Sequence, residues 1–184
     1  MKKICLLLMV YFGFYSPSLS FGEPPATTDL LGSAMTQGEV VNLAIKVAGL
    51  EFFLPKDTEN WDKAKLFELK KNLLVKAHYS VFEKAKMDEP VDCTFLAEVA
   101  YQISTPLEKR GDISCQGVVN ELEGKRYKID CACGEGVDGG TAVSLFNDPQ
   151  FLKDAMGAVN PVEISPYATA LSEAYSTPAS SPVR

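Results

Sequence analysis

The residues best suited to chemistry are four cysteines in the second half of the chain: Cys93, Cys115, Cys131 and Cys133. Thiols in that number can form a redox pair, hold a metal or crosslink the fold. A redox pair usually sits where a helix N-terminus lowers a thiol pKa, whereas Cys131-Ala132-Cys133 reads as the end of a strand. A metal site fits poorly, because the chain holds a single histidine and no paired Cys-x-x-Cys spacing. Structural disulfides are the expectation, and no metal or cofactor is implied. Of the three possible pairings, Cys131 with Cys133 closes too tight a ring. Cys115 is therefore expected to join Cys131 or Cys133, with the other left for Cys93.

The remaining candidates carry weaker signals. His78 lies on an apolar helical stripe between Leu74 and Phe82, and reads as a boundary histidine more than a catalytic base. Lys70 falls in the same arc and is expected to lay its stem along the surface with its ammonium in water. The loop Gly134 to Gly140 lacks the lysine and the Ser/Thr of a phosphate loop. Its Glu135 and Asp138, with Asp130 nearby, lack the alternation of a calcium loop. Glu121, Glu123, Asp130 and Glu135 cluster about one hairpin without a spacing that implies a glycosidase pair. No catalytic set emerges. The densest basic run, Lys125-Arg126-Tyr127-Lys128, reads as a solvated strand end, with a contact patch for an acidic partner as the alternative.

The start of the chain decides the compartment. Lys2 and Lys3 precede an apolar run from Ile4 to Tyr15, which contains the fifth cysteine, Cys5; Ser18 and Ser20 then form a small-x-small site. This is the pattern of a cleaved secretory signal over residues 1–20. Its removal takes two lysines and no acid from a chain of 184 residues with net charge −6. The acidic balance argues against nucleic acid as a partner, since phosphate binding needs a basic face. No later segment is apolar enough to span a membrane. The expected location is the periplasm or the extracellular space, where cysteines oxidise.

The elements that must position these residues follow from periodicity. Residues 21–38, rich in Gly, Pro, Ser and Thr, read as a flexible leader, residues 39–160 as one domain, and residues 161–184 as a mobile Pro/Ser/Ala-rich tail. Val40 to Ala48 reads as a buried helix broken by Gly49 and followed by an extended piece. Leu66, Leu69, Leu73, Ala77, Val81 and Ala85 predict one amphipathic helix of about eight turns, from the cap at Asp57 or Thr58 to Pro90. Phe95, Ala97, Val99, Tyr101 and Ile103 alternate as in a strand, although Phe95, Leu96, Val99 and Ile103 would also line a helix. Further strands are expected at Ile113–Glu121, Lys125–Cys133 and Thr141–Phe146, and a helix after Asn147-Asp148-Pro149. In a plain meander, Cys93 would lie too far from Cys131 and Cys133 to bridge.

The fold class expected is α+β: a long helix on a three- to four-stranded antiparallel meander, with a short C-terminal helix and disulfide staples. In element order alone it resembles the cystatin-like folds, an architectural likeness that carries no function. The function expected is binding of another protein, as an accessory, inhibitor or immunity-type partner. The alternative is a small-molecule carrier or enzyme with a cavity between the long helix and a curved sheet.

Overall fold

The computed structural model describes residues 34–158 apart from 57 and 128. The signal segment, most of the leader, Lys128 and the tail lie outside the described residues. Among those described, the fold is helical and contains no strand, so the expected α+β architecture and its cystatin-like likeness are overturned. Six α-helices follow one another: α1 (Gln37–Val47), α2 (Lys63–Lys76), α3 (Cys93–Ser104), α4 (Cys115–Gly124), α5 (Gly139–Phe146) and α6 (Pro149–Ala158). Short 3₁₀ turns at Leu50–Phe53, Thr58–Asn60, Ser80–Lys84 and Leu107–Lys109 connect them. The cavity expected between a long helix and a curved sheet therefore has no counterpart here.

Three of the four segments read as strands begin with a helix cap, while the fourth, Lys125–Cys133, forms neither strand nor helix among its described residues. The Asp92 carboxylate accepts the Phe95 N–H at 2.7 Å, Ser114 Oγ accepts the Gly117 N–H at 3.3 Å, and the Asp138 carboxylate accepts the Thr141 N–H at 2.7 Å. These bonds satisfy backbone donors that a helix leaves open at its start. The alternation in α3 has another origin. Leu96 and Ala100 are as fully buried as Ala97, Val99 and Ile103, so α3 is buried over most of its circumference and leaves only the side of Phe95, Glu98 and Gln102 partly open. It packs against α1, α4, α6 and the Ser80–Lys84 turn, which makes it the central element.

The predicted eight-turn helix stops at Lys76. There the Tyr79 N–H donates to the Leu74 carbonyl and the His78 N–H to that of Val75, each at 3.0 Å. His78 adopts φ +65°, the left-handed position of a Schellman stop that glycine usually fills. Tyr79 is thereby turned under the helix end and buried. Beyond the stop, Phe82 continues the apolar stripe on the 3₁₀ turn, with its ring edge-on to Phe95 at 6.0 Å. The same device ends α4: Arg126 has φ +67°, and the Tyr127 N–H donates to the Leu122 carbonyl at 3.0 Å. In α1 the corresponding left-handed residue is Gly49, with φ +67°, and the chain beyond it forms a 3₁₀ turn instead of the expected extended piece.

α1 opens with a capping box, in which Thr36 Oγ1 accepts the Glu39 N–H and the Glu39 carboxylate accepts the Thr36 N–H. Three short extended pieces lead into α1, α3 and α5, and each forms single antiparallel bridges to the other two: Ala34 with Asp138, Thr36 with Pro90, and Asp92 with Gly136. At their centre Met35, Val91 and Val137 are buried. Gly38 is required here, because a Cβ would come within 2.7 Å of the Met87 carbonyl oxygen. Met35 thus belongs to the core although the leader was expected to extend through residue 38. One apolar cluster runs from Met35 to Ala155. The helix expected after Asp148-Pro149 is α6, with the Asp148 carboxylate accepting the Phe151 N–H at 3.0 Å.

Candidate functional site

The cysteines form two disulfides, Cys93–Cys131 and Cys115–Cys133, with Cα separations of 5.7 and 6.1 Å. Of the two pairings left open, the geometry selects the one that joins Cys115 to Cys133. The distance that forbids a Cys93 bridge in a meander disappears because residues 93–104 are helical. Cys93 and Cys115 are the first residues of α3 and α4, so both bonds tether a helix N-terminus to the Cys131-Ala132-Cys133 segment. Cys93 is fully buried, whereas Cys133 is exposed.

The basic run divides between core and surface. Tyr127 is buried, with its ring edge-on to Phe151 at 5.3 Å and its hydroxyl donating to the Asp154 carboxylate. Lys125 Nζ donates to Thr105 Oγ1 at 2.9 Å and lies 3.5 Å from a Glu121 carboxylate oxygen. Arg126 is exposed at the helix stop.

The other candidates are also placed. Lys70 Nζ donates to Asn42 Oδ1 at 2.7 Å, pinning α2 to α1; burial lowers its pKa, against the raising effect of Glu51. The Glu135 carboxylate accepts the Ala132 N–H at 3.4 Å and Asp138 caps α5. Glu123 and Asp130 are exposed. Among the described residues no group of three His, Cys, Asp or Glu side chains is placed to hold a metal. No helix among them is long and apolar enough to cross a membrane.

The arrangement with most scope for recognition is a groove of about 400 Å³ beside α3. Its floor is α3, through the partly open side chains of Glu98 and Gln102 and the buried Tyr101. One wall begins at His78 and Ser80, and the other is the 105–114 loop with Val118 of α4. Gln102 fixes the first wall: its Oε1 accepts the Val81 N–H and its Nε2 donates to Ser80 Oγ, both at 3.3 Å. Arg110 fixes the second. Its Nε donates to the Thr105 carbonyl at 2.9 Å and its Nη1 to the His78 carbonyl at 2.5 Å, while the guanidinium lies 5.0 Å from the centre of the Tyr79 ring. The Tyr101 hydroxyl accepts the Gly111 N–H at 3.0 Å. His78 itself is exposed at the rim and contributes to this clamp through its carbonyl.

Electrostatics single out Glu98. Burial, and then the Asp92 carboxylate, raise its pKa above the ordinary glutamate range, and Lys84 opposes them. No hydrogen bond or ion pair joins Glu98 to another described residue. Burial lowers the Arg110 pKa and raises that of Tyr79, while each group offsets the other's shift. Leu107 and Ile113, two of the four large apolar side chains exposed among the described residues, stand on the groove wall. Sequence reasoning passed over Glu98, Leu107, Arg110 and Ile113. The only signal was an apolar pair set within the charged turn 105–113, which a strand reading of Ile113 conceals.

Comparison with protein families, with curated proteins and with solved structures gives no match for this chain.

Proposed function

We propose that this is an exported, disulfide-stabilised helical protein that acts by binding another protein in the periplasm or outside the cell. The observation that carries this reading is the groove on α3. Exposed Leu107 and Ile113, on a wall held by the Arg110 clamp, share it with the Glu98 carboxylate on the floor, which makes no hydrogen bond or ion pair to a described residue. Apolar side chains beside a fixed polar group are the composition of a recognition surface. The two disulfides support export, since such bonds persist in oxidising compartments. They also hold α3 and α4, which border the groove, to one short segment, so little ordering entropy remains to oppose binding.

Affinity capture by the oxidised protein from envelope and medium fractions, with a reciprocal pull-down by each candidate, tests the reading. One stoichiometric protein partner is the expected result. Repeated capture without a specific partner overturns it, as does finding the native protein in the cytosol with all its thiols reduced.

A further inference from the structure

We infer that the α3 groove receives a peptide segment of the partner that carries a lysine or arginine flanked by apolar residues, with the cation set on Glu98. The inference rests on the protein-binding reading and supplies the partner's chemistry.

Charge complementarity selects this occupant. Glu98 is half-buried on the groove floor with no ion pair to any described residue, and Asp112 stands on the same wall as Leu107 and Ile113. Arg110 lines the groove as well and keeps its charge, but two of its N–H donors are held by the backbone carbonyls of Thr105 and His78, and it stands against two carboxylates. An anionic segment would meet two carboxylates, Glu98 and Asp112, for the one guanidinium of Arg110. A cationic segment supplies Glu98 with the direct ion pair that Lys84, acting on it from beyond ion-pair distance, does not make, and a charge-assisted bond shielded from bulk water gains strength. Leu107 and Ile113 then cover the apolar neighbours of the cation. The chain's net charge of −6 draws a basic segment toward the surface from a distance.

A second groove lies along the same helix. Phe95, Glu98 and Gln102 follow one another on one face of α3 at helical spacing. Phe95 lines this second groove with Val81, Lys84, Lys86 and Glu89. An extended peptide running along α3 would place its apolar residues at both ends and its cation between them. A single small cation would use the middle alone.

The test uses the oxidised full chain and two labelled peptides of about a dozen residues. Both have the same leucine and isoleucine content; one carries lysine and arginine, the other glutamate at the same places. Fluorescence anisotropy is expected to show binding of the basic peptide alone, weakening with added salt. Amide shifts are expected to map to Glu98, Gln102, Leu107 and Ile113. Glu98→Gln should weaken binding about tenfold, equivalent to ~1.4 kcal/mol. Leu107→Ser, at an exposed side chain, should weaken it without loss of helicity. Equal binding of both peptides, preference for the acidic one, or a basic-peptide affinity unchanged in Glu98→Gln overturns the inference. A captured protein partner held equally well by wild type and by both variants also overturns it, while leaving the protein-binding reading standing. Absence of any partner removes both.

Discussion

The Tyr127 hydroxyl donates a hydrogen bond to the Asp154 carboxylate, tying the residue just beyond α4 to the middle of α6. Asp154 is steadied by Gln150 Nε2 at 2.9 Å, and the Tyr127 ring packs edge-on to Phe151. The two chain segments are thus joined by a ring contact and by a bond to a charged acceptor.

Tyr127→Phe keeps the ring contact and removes the bond. A hydrogen bond to a charged group contributes ~1.5–3 kcal/mol net, so the variant should lose about 2 kcal/mol in denaturant unfolding. Burial first, and then Asp154, hold the Tyr127 proton above the ordinary tyrosine range. The native state therefore binds that proton more tightly than the unfolded chain. The resulting stabilisation is complete below the unfolded tyrosine value of about 10 and is lost as pH rises through the higher folded value. Wild type should lose stability more steeply than Tyr127→Phe in alkaline titrations.

The stops at His78 and Arg126 predict a gain. Both hold φ near +65° with a Cβ present, a conformation that costs roughly 1 kcal/mol relative to glycine. Both side chains are exposed, and the carbonyl that His78 lends to Arg110 survives substitution. His78→Gly and Arg126→Gly should each raise stability by ~0.5–1 kcal/mol. A drop on His78→Gly would mean that the imidazole contributes packing that its exposure does not reveal.

What could be read in the sequence follows from how local each cause is. The helix at Pro149 announces itself by an Asp-Pro start, and the end of α1 by Gly49. The stop of α2 is hidden because a histidine occupies the glycine position while Phe82 and Ala85 keep the apolar rhythm through a 3₁₀ turn. In α3, alternation reflects burial over most of the helix surface, and the cap at Asp92 was the stronger local signal. The oxidised cysteines were legible from their number, but the choice between Cys131 and Cys133 depended on helices. The groove was not legible, because Glu98 and Leu107 are brought together only when the 105–114 loop is clamped by Arg110.

The two disulfides should differ in both accessibility and contribution. Cys133 is exposed and Cys93 is fully buried, so a mild dithiol reductant should open Cys115–Cys133 first. Attack at Cys133 releases Cys115 as thiolate at the start of α4, where the helix N-terminus stabilises it. Sequence separations of 38 for Cys93–Cys131 and 18 for Cys115–Cys133 correspond to loop-closure contributions of about 4 and 3 kcal/mol. Alkylation with mass mapping should find Cys115 and Cys133 labelled before Cys93 and Cys131. Loss of the Cys93 bridge should destabilise more, because it also leaves a buried position in α3 poorly filled.

Glu98 predicts that binding and stability pull in opposite directions. Its folded pKa is raised, chiefly by burial and next by Asp92. The native state therefore favours the protonated acid. That contribution is complete below the unfolded glutamate value of about 4.3 and is lost as pH rises through the folded value. At neutral pH the ionised carboxylate sits half-buried with no direct ion pair to a described residue and only partial compensation from Lys84, and the fold is less stable for it. Glu98→Gln removes the charge at nearly constant volume. It should melt higher than wild type at pH 7 and match it below pH ~4. The measurement is a pair of thermal melts at the two pH values, and a neutral-pH melt no higher than wild type would show that the carboxylate is already compensated. A residue that stabilises the fold when neutralised yet is needed for a basic ligand marks a position where stability is traded for recognition.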